Sequence, residues 1–313
     1  MWKYLLRRVL MVPITVWIII SLVFVIMRIV PGDPALLIAG PFATPDQVEQ
    51  LRVIFGLNEP LHKQYAHWIT GIVFGDWGKS FQTRSPVLPL LAERLPRTLQ
   101  LTLVGLALAM LFGIPLGVLA AAKANSFVDY SASALAVLWF SMPIFWFALV
   151  LQLIFSIKLG WFPISGSGYG MWSLDNLRHL TLPVVSLGLT FAAQFFRFTR
   201  SSVLEILYQD YIRTAWSKGL PLRHVLFRHT LRNAMVPIIT LVGLRVPWVV
   251  GGAVILENIF AWPGMGSFVV QAIYNRDYHV VEGFMIILAC LVVIVNLIVD
   301  WLYVLVNPTI RYE

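Results

Sequence analysis

Few residues of this chain have the types and spacing that enzymatic chemistry needs. The six histidines include no HxxxH pair, and the only cysteine, Cys290, lies in an apolar run. The sequence therefore predicts neither a metal site nor a disulfide framework within the chain. Ser165 and Ser167 alternate with glycines and could suggest a nucleophile, but no histidine partner is evident, and turn formation explains the glycines. No catalytic residue is expected.

The fragment Gly78-Lys79-Ser80 resembles the end of a phosphate-binding loop. The full motif needs a glycine five residues before its second glycine, and Val73 occupies that position. We interpret the fragment as a coincidence, so this chain is not expected to bind ATP.

Polar residues within long apolar runs are the stronger candidates, because such residues usually serve a pathway or an ion pair. Five residues qualify: Arg245, Asp300, Asn296, Arg197 and Arg200. Counting residues along each run predicts that Asp300 and Arg200 lie at similar depth and form an ion pair between helices. Arg245 is isolated; it either lines a pathway, where a carboxylate could bind it, or pairs with another subunit.

Three further polar residues near the ends of apolar runs have simpler explanations. Arg28 is expected to extend its charged group to the membrane surface. Glu257 and Asn258 follow an apolar run and are expected to be exposed to solvent.

The elements that must position these residues are membrane-spanning helices. The chain is 59% hydrophobic and only 12% charged, whereas soluble domains carry about 25% charged residues. A spanning helix needs roughly 20 apolar residues. Such runs lie near 9–30, 98–122, 131–157, 182–204, 234–257 and 281–305, the third being interrupted by Pro143. The prediction is an all-α integral membrane protein of about six transmembrane helices.

The distribution of charge predicts the orientation of these helices. With the N-terminus in the cytoplasm, the inner segments hold twelve basic and four acidic residues, while the long outer segment holds six of each. The positive-inside rule thus places both termini in the cytoplasm. The net charge of +8 is explained by orientation, and no nucleic-acid partner is expected.

Two segments outside the apolar runs are predicted to fold. In residues 31–97, on the outer face, Thr44-Pro45-Asp46 and Pro60 are typical helix starts. Amphipathic helices there would either cap the bundle or contact a substrate or partner. In residues 205–233, on the inner face, Asp210 could cap a short helix, Gly219 end it and Pro221 begin another. This helical pair would suit a groove in a partner or rest on anionic lipid.

The inner segment resembles the "EAA" loop of the permease subunits of ABC importers. The general family reads Glu-Ala-Ala, three residues and Gly, where this chain has Arg213, Thr214, Ala215 and Gly219. The acidic residue is absent, and Leu231-Arg232 replaces a downstream Leu-Pro. That departure resembles the peptide/nickel branch, with its pattern DYIRTAxxKG…LRNAxxP.

Other motifs of that branch follow in order along nearly the whole chain. They are Pro31-Gly32-Asp33-Pro34, Gly56-Leu57 with Pro60, Ser141-Met142-Pro143, Arg197–Ser202, Trp262-Pro263-Gly264-Met265-Gly266, Arg276-Asp277-Tyr278 and Asn307–Arg311. The resemblance implies the type I importer permease fold, with residues 1–30 as the first helix, 31–97 as an extracytoplasmic loop and 98–313 as a five-helix core.

The resemblance also implies the partners. They are a second, similar permease, two cytoplasmic ATPases that carry ATP and Mg²⁺, and an extracytoplasmic binding protein, all at a bacterial or archaeal cytoplasmic membrane. The residues implied to contact an ATPase are Asp210, Tyr211, Arg213, Thr214, Ala215, Lys218, Gly219, Leu220 and Pro221. Gly219 would be a hinge of this lever.

The implied substrates are di- or oligopeptides or glutathione, with nickel or oligosaccharide as alternatives within the same family. A secondary transporter is a further alternative, but it would show internal repeats, and the sequence has no convincing one.

Overall fold

The computed structural model describes residues 2–29, 32–40 and 42–306. Across these ranges the chain is mainly helical, and the β-structure there is limited to an isolated antiparallel bridge between Lys79 and Pro86. The closing motif Asn307–Arg311 lies outside the described residues.

The α-helices fall into long helices of membrane-spanning length and shorter ones between them. In chain order they are α1 (Trp2–Ile29), α2 (Pro34–Ala39), α3 (Pro45–Ile54), α4 (Leu61–Val73), α5 (Val87–Ala122), α6 (Phe127–Ser141), α7 (Ile144–Leu151), α8 (Leu174–Leu207), α9 (Asp210–Ser217), α10 (Leu222–His224), α11 (Leu231–Ile259), α12 (Met265–Tyr274) and α13 (Tyr278–Val306). Two π-helical segments, Gln152–Lys158 and Val225–Thr230, continue α7 and join α10 to α11.

Five helical segments in the described part of the chain are long and apolar enough to cross a membrane. They are Met11–Ile29, Val87–Ala122, Leu174–Leu207, Arg228–Ile259 and Tyr278–Tyr303. A sixth crossing arises if the pair Phe127–Ser141 and Ile144–Lys158, bent by 100°, counts as one span. The predicted all-α membrane architecture is therefore confirmed.

The bend in the third predicted span lies at Pro143. Proline has no N–H, and it disfavours helical geometry in the residue before it. Accordingly, Met142 is extended, with ψ of 127°. The Ser141 hydroxyl donates to the Val137 carbonyl at 2.8 Å, which satisfies one carbonyl at the end of α6.

Two spanning helices begin earlier than the hydropathy predicts. Helix α5 starts at Val87 rather than near residue 98, and α8 starts at Leu174 rather than near residue 182. Both extensions carry charged residues, among them Glu93, Arg94 and Asp175. Hydropathy identifies only the part of a helix that suits hydrocarbon, so helical turns beyond that part escape it.

The predicted helix starts before α5 are confirmed. Thr44 caps α3 in a capping box with Gln47, and Pro45 occupies the first turn. Helix α4 begins directly after Pro60. Asp33 caps α2 and also pairs with Arg52 at 2.6 Å. Hydrogen bonds to Asp33 and then Glu49 raise the pKa of Arg52 above its ordinary value.

The chain divides into two compact units. The first comprises Met1–Arg97 and Pro263–Val293. Its apolar core brings Ile20 and Phe24 of α1 against Trp68 of α4 and Ile286 of α13.

The second unit comprises Thr98–Trp262 and Ile294–Glu313. Its main core packs apolar residues of α5, α7, α8 and α11, including Leu101, Leu187, Phe195 and Leu256. Glycines bring two of these helices very close. A Cβ added at Gly113 would lie 2.6 Å from the Ala192 carbonyl oxygen, and one at Gly117 would lie 2.8 Å from that of Phe196. Only glycine at these positions lets the α5 backbone approach α8 so closely.

Candidate coupling segment and membrane-embedded polar residues

The segment between α8 and α11 folds into α9, a turn and a second helical stretch. Gln209 occupies the cap position of α9, so Asp210 lies in the first turn instead of capping it as predicted. Asp210 still favours the helix start, because an acidic side chain there interacts well with the helix dipole. Lys218 ends α9, and Gly219 follows with φ of +76°. This left-handed geometry favours glycine, as the sequence predicted.

The second helical stretch begins after Pro221 but does not end as a separate short helix. Helix α10 leads into Val225–Thr230, a π-helical segment, and then directly into α11. The prediction of a second stubby helix was wrong in this respect. Thr230 accommodates the wider turn, since its hydroxyl donates to the Val225 carbonyl five residues earlier at 3.1 Å.

The nine residues predicted to contact an ATPase divide into a packed set and an exposed set. Ala215 is buried in a small core with Ile212 and Val225, and Leu220 packs against that core. Asp210 and Arg213 have 98% and 82% of their side chains exposed. The others, Tyr211, Thr214, Lys218, Gly219 and Pro221, are exposed as well. Ala215 and Leu220 therefore hold the segment in place, while the exposed set forms its surface.

A hydrogen bond and a groove further define this segment. The Asn233 amide of α11 donates to the Tyr211 hydroxyl at 2.8 Å and thereby ties α9 to α11. A basic groove of about 410 Å³ follows the turn and is lined by Pro221, Arg223, His224 and Arg228. We name the exposed set together with this groove the coupling surface.

The ion pair predicted for Arg200 has a different partner. Its guanidinium donates to both carboxylate oxygens of Asp129, at 2.5 and 2.7 Å, rather than to Asp300. Asp129 is buried at the start of α6 and also accepts a hydrogen bond from the Asn125 backbone N–H at 3.0 Å. The prediction placed Asp129 in an inner loop and so overlooked it. Asp300 itself is buried in α13, whereas Asn296, one turn earlier, is exposed.

The isolated Arg245 opens onto a cavity of about 330 Å³ in the second unit. The cavity is also lined by Gln194, Arg197 and Ser201 of α8 and by three apolar residues, Phe140, Phe198 and Leu241. Arg197 lies over the Phe140 ring, with its guanidinium carbon 5.3 Å from the ring centre. The structure thus brings Arg245 and Arg197, which were predicted separately, to the same cavity.

Two buried acidic residues were not recognised as such in the sequence. Glu257 is 0% exposed and accepts a hydrogen bond from Thr98 at 2.7 Å, so the prediction of solvent exposure was wrong. Glu282 is buried and forms an ion pair with Arg28. Arg28 therefore does not extend to the surface as predicted. Its guanidinium stacks on Phe24 at 3.4 Å.

These carboxylates lie near the ends of apolar runs, where sequence reasoning assigns solvent. A signal was nevertheless present for Glu282, since it lies inside the predicted span 281–305 and Arg28 lies inside 9–30. Pairing the ionisable residues of the first and last spans would have identified this contact.

The described residues contain no group of three or more His, Cys, Asp or Glu side chains arranged to hold a metal ion.

The fragment Gly78-Lys79-Ser80 has a structural role. The Ser80 hydroxyl donates to buried Asp277 at 2.5 Å, and the Lys79 carbonyl contacts His279 at 2.9 Å.

Two family models together match nearly the whole chain. One, described as the N-terminal part of a binding-protein-dependent transport system membrane component, matches residues 1–102. The other, described as a binding-protein-dependent transport system inner membrane component, matches residues 113–312. The chain belongs to this family of ABC importer permeases. It is a membrane transport subunit and not an enzyme. Because the chain belongs to an importer family, the alternative of a secondary transporter is set aside.

Several permeases of known systems are similar over their full length. AppB, an oligopeptide transport system permease protein of Bacillus subtilis (strain 168), is 43% identical and aligned over 99% of both chains. GsiC, a glutathione transport system permease protein, is 40% identical in Salmonella typhimurium and 38% in Escherichia coli (strain K12), over 100% of both chains in each case.

A solved structure shares the permease fold. It shows inward facing conformations of the MetNI methionine ABC transporter, and its matching chain aligns with a TM-score of 0.59 and 19% identity. The alignment covers 70% of this permease and 97% of that chain. The type I importer permease fold predicted from the sequence is thereby confirmed.

Proposed function

We propose that this permease, with a second similar permease, forms the membrane pathway of an ATP-driven importer of di- or oligopeptides or of glutathione. The observation that carries the proposal is the full-length similarity to AppB and GsiC, whose names specify oligopeptide and glutathione transport. Transport by this family depends on a binding protein, so a substrate-binding protein would deliver the peptide from outside the cytoplasmic membrane.

The coupling surface is the proposed contact with one of two cytoplasmic ATPases. Asp210, Tyr211, Arg213, Thr214 and Lys218 would contact the ATPase, and Gly219 with Pro221 would fix the turn between the two helical stretches. Ala215 and Leu220 would support this surface from beneath, since they belong to or pack on its small apolar core. ATP and Mg²⁺ would bind to the ATPases and not to this chain.

In the orientation that we propose, α9, α10 and both chain termini would lie in the cytoplasm. The excess of basic residues in the corresponding segments supports this arrangement. The outer segment with α3 and α4 would then face the side from which the binding protein approaches.

The test is uptake by the complete system in proteoliposomes. The permease is reconstituted with its second permease, ATPases and binding protein, and ATP is enclosed with the ATPases. We expect ATP-dependent accumulation of radiolabelled trialanine or glutathione and none with a non-hydrolysable ATP analogue. Accumulation of nickel or an oligosaccharide with no peptide uptake would contradict the peptide assignment and support the alternative substrates.

A further inference from the structure

The cavity beside Arg245 holds more positive charge than the chain itself neutralises. Among the described residues, neither Arg245 nor Arg197 forms an ion pair with a carboxylate, although both line the cavity. Arg200, one turn from Arg197 on α8, does have such a partner in Asp129. One arginine of α8 is therefore neutralised, whereas its neighbour Arg197 lines a cavity together with a second arginine.

Arg245 is half-buried and Arg197 is exposed, and an anion bound beside them would stabilise this arrangement. Two guanidinium groups repel each other, and the repulsion grows where water is scarce. Charged residues within spans are rare for this reason, and those that occur usually pair or line a pathway. A bound carboxylate would offset the repulsion and could accept two hydrogen bonds from one guanidinium.

The unmade hydrogen bonds of the cavity describe its ligand further. Arg245 Nε is a buried donor without a partner, and Gln194 Oε1 is a buried acceptor without a partner. Buried polar atoms of this kind are normally satisfied. A ligand that satisfies both must offer a hydrogen-bond acceptor and a hydrogen-bond donor together. The C-terminal end of a peptide does so, with its carboxylate and its last amide N–H.

The position of the cavity suits a membrane pathway. Gln194 lies thirteen residues before Leu207 at the end of α8, and Arg245 lies fourteen residues after Leu231 at the start of α11. At 1.5 Å per residue, both are about 20 Å from the helix ends that flank the coupling segment. The cavity volume of about 330 Å³ is at the small end for ligand sites, so it suits one end of a peptide.

We propose that Arg245, Arg197 and Gln194 form a subsite that binds the C-terminal carboxylate and last amide N–H of a peptide during translocation. The guanidinium groups bind the carboxylate, and the Gln194 carbonyl oxygen accepts the amide N–H. The proposal rests on the function proposed above and assigns to the permease a recognition step separate from that of the binding protein.

The test measures binding to the permeases and ATPases in nanodiscs, without nucleotide and without the binding protein. The probes are tritiated trialanine and its C-terminal amide, which lacks the negative charge. We expect trialanine to bind at least about tenfold more tightly, as the loss of a charge-assisted hydrogen bond implies. Equal binding of the two peptides, or binding of neither, would overturn the proposal without any variant being needed.

Variants locate the effect. In Arg245→Gln the preference for the carboxylate should fall to nearly one, and Arg245→Lys should retain part of it, because lysine keeps the charge but loses the planar fork. Arg178→Gln is the matched control, since Arg178 is an exposed arginine near the start of α8 and does not line the cavity. A preserved preference in Arg245→Gln would refute the subsite.

The outcomes separate this inference from the proposed function. If the complete system accumulates trialanine but its nanodisc complex does not distinguish acid from amide, only the subsite is wrong. If the complete system accumulates no peptide, the proposed function is wrong. If Arg245 instead pairs with the second permease, Arg245→Gln should reduce the amount of that permease co-purified, and the unaltered complex should bind both peptides equally.

Discussion

Asp129 shows how a single carboxylate accommodates a charged residue within a span. It is buried, and it binds Arg200 through both carboxylate oxygens. The Asn125 backbone N–H and the Ser133 hydroxyl donate to it as well. These contacts satisfy the hydrogen-bonding capacity of the carboxylate. The ion pair with Arg200 thereby fixes α6 against α8.

We therefore expect Asp129→Asn to destabilise the permease. The substitution leaves the Arg200 guanidinium without its counter-charge, and removing one partner of a buried pair costs about 3 kcal/mol or more. Because the Arg200 side chain is 30% exposed, a cost at the lower end of this range, about 3 kcal/mol, is expected here. The measurement is SDS-induced unfolding of the purified permease in mixed micelles.

The control for this variant is Asp210→Asn, which alters a carboxylate with 98% of its side chain exposed. It should leave the unfolding midpoint unchanged. An equal, small effect of the two substitutions would show that the Asp129 pair contributes nothing to stability.

The sequence identified Arg200 as an ion-pair residue but assigned it the wrong partner. Depth was counted from apolar runs, and the run near 131–157 begins four residues after the true start of α6 at Phe127. Asp129 consequently seemed to belong to a loop. Ion pairs depend on distances of a few ångströms, and an error of one helical turn, about 5 Å, is enough to change the partner.

At the scale of elements, glycine is favoured at position 219 by the backbone conformation of the turn and not by a lack of room for a side chain. Its φ is +76°, yet a Cβ added there would meet nothing within 4 Å. Asparagine adopts left-handed geometry more readily than other residues, whereas β-branched residues seldom do. The two kinds of substitution should therefore separate the effect of the turn from the effect of side-chain size.

We expect Gly219→Val to leave the permease inserted but to uncouple ATP hydrolysis from uptake. Valine strains the left-handed turn and shifts the α9 end of the coupling surface. Gly219→Asn, of larger volume, should retain most coupling. For each variant, the rates of ATP hydrolysis and of peptide uptake are measured in proteoliposomes with the complete system. Normal uptake by Gly219→Val would contradict the proposed lever.

The close approach of α5 and α8 gives a second test of an element. Gly113→Ala places a Cβ 2.6 Å from the Ala192 carbonyl oxygen, so we expect it to destabilise the permease by about 1–3 kcal/mol. In Gly251→Ala, also within a helix, the Cβ meets nothing within 4 Å. That substitution should be neutral or stabilise by up to about 1 kcal/mol, because alanine favours helix.

These two glycine variants are compared in the same SDS unfolding assay. Similar midpoints for both would show that α5 and α8 can separate at little cost.

At the scale of the whole molecule, the bent pair α6 and α7 decides the topology. If the pair crosses the membrane, the number of spans is even and both termini share one side; if it enters and returns, the number is odd. The positive-inside rule favours the even number. We expect a green fluorescent protein fused to the C-terminus to fluoresce and an alkaline phosphatase fused there to be inactive.

A reporter inserted after Gly170, between the bent pair and α8, should give the opposite result. Fluorescence after Gly170 together with no fluorescence at the C-terminus would show that the bent pair does not cross and that the coupling surface lies on the outer side.

The architecture was more predictable than the sites. Apolar runs of about 20 residues determine which helices can exist in a bilayer, and the turn residues Pro45, Pro60 and Gly219 fix local geometry. The polar contacts could not be predicted in the same way. Asp129 with Arg200 and Gln194 near Arg245 bring together residues distant in sequence, and such contacts follow from packing that hydropathy does not encode.

The glycine contacts between α5 and α8 also limit how the permease can move. At Gly113 and Gly117 the two backbones touch on successive turns, so a lengthwise shift smaller than a full helical turn would drive side chains such as Phe195 into the α5 backbone. Close-packed surfaces tolerate discrete rearrangements and resist gradual sliding. During a transport cycle α5 and α8 should thus move together as one rigid body. The displacement that admits a substrate then has to occur at the contacts between other helices.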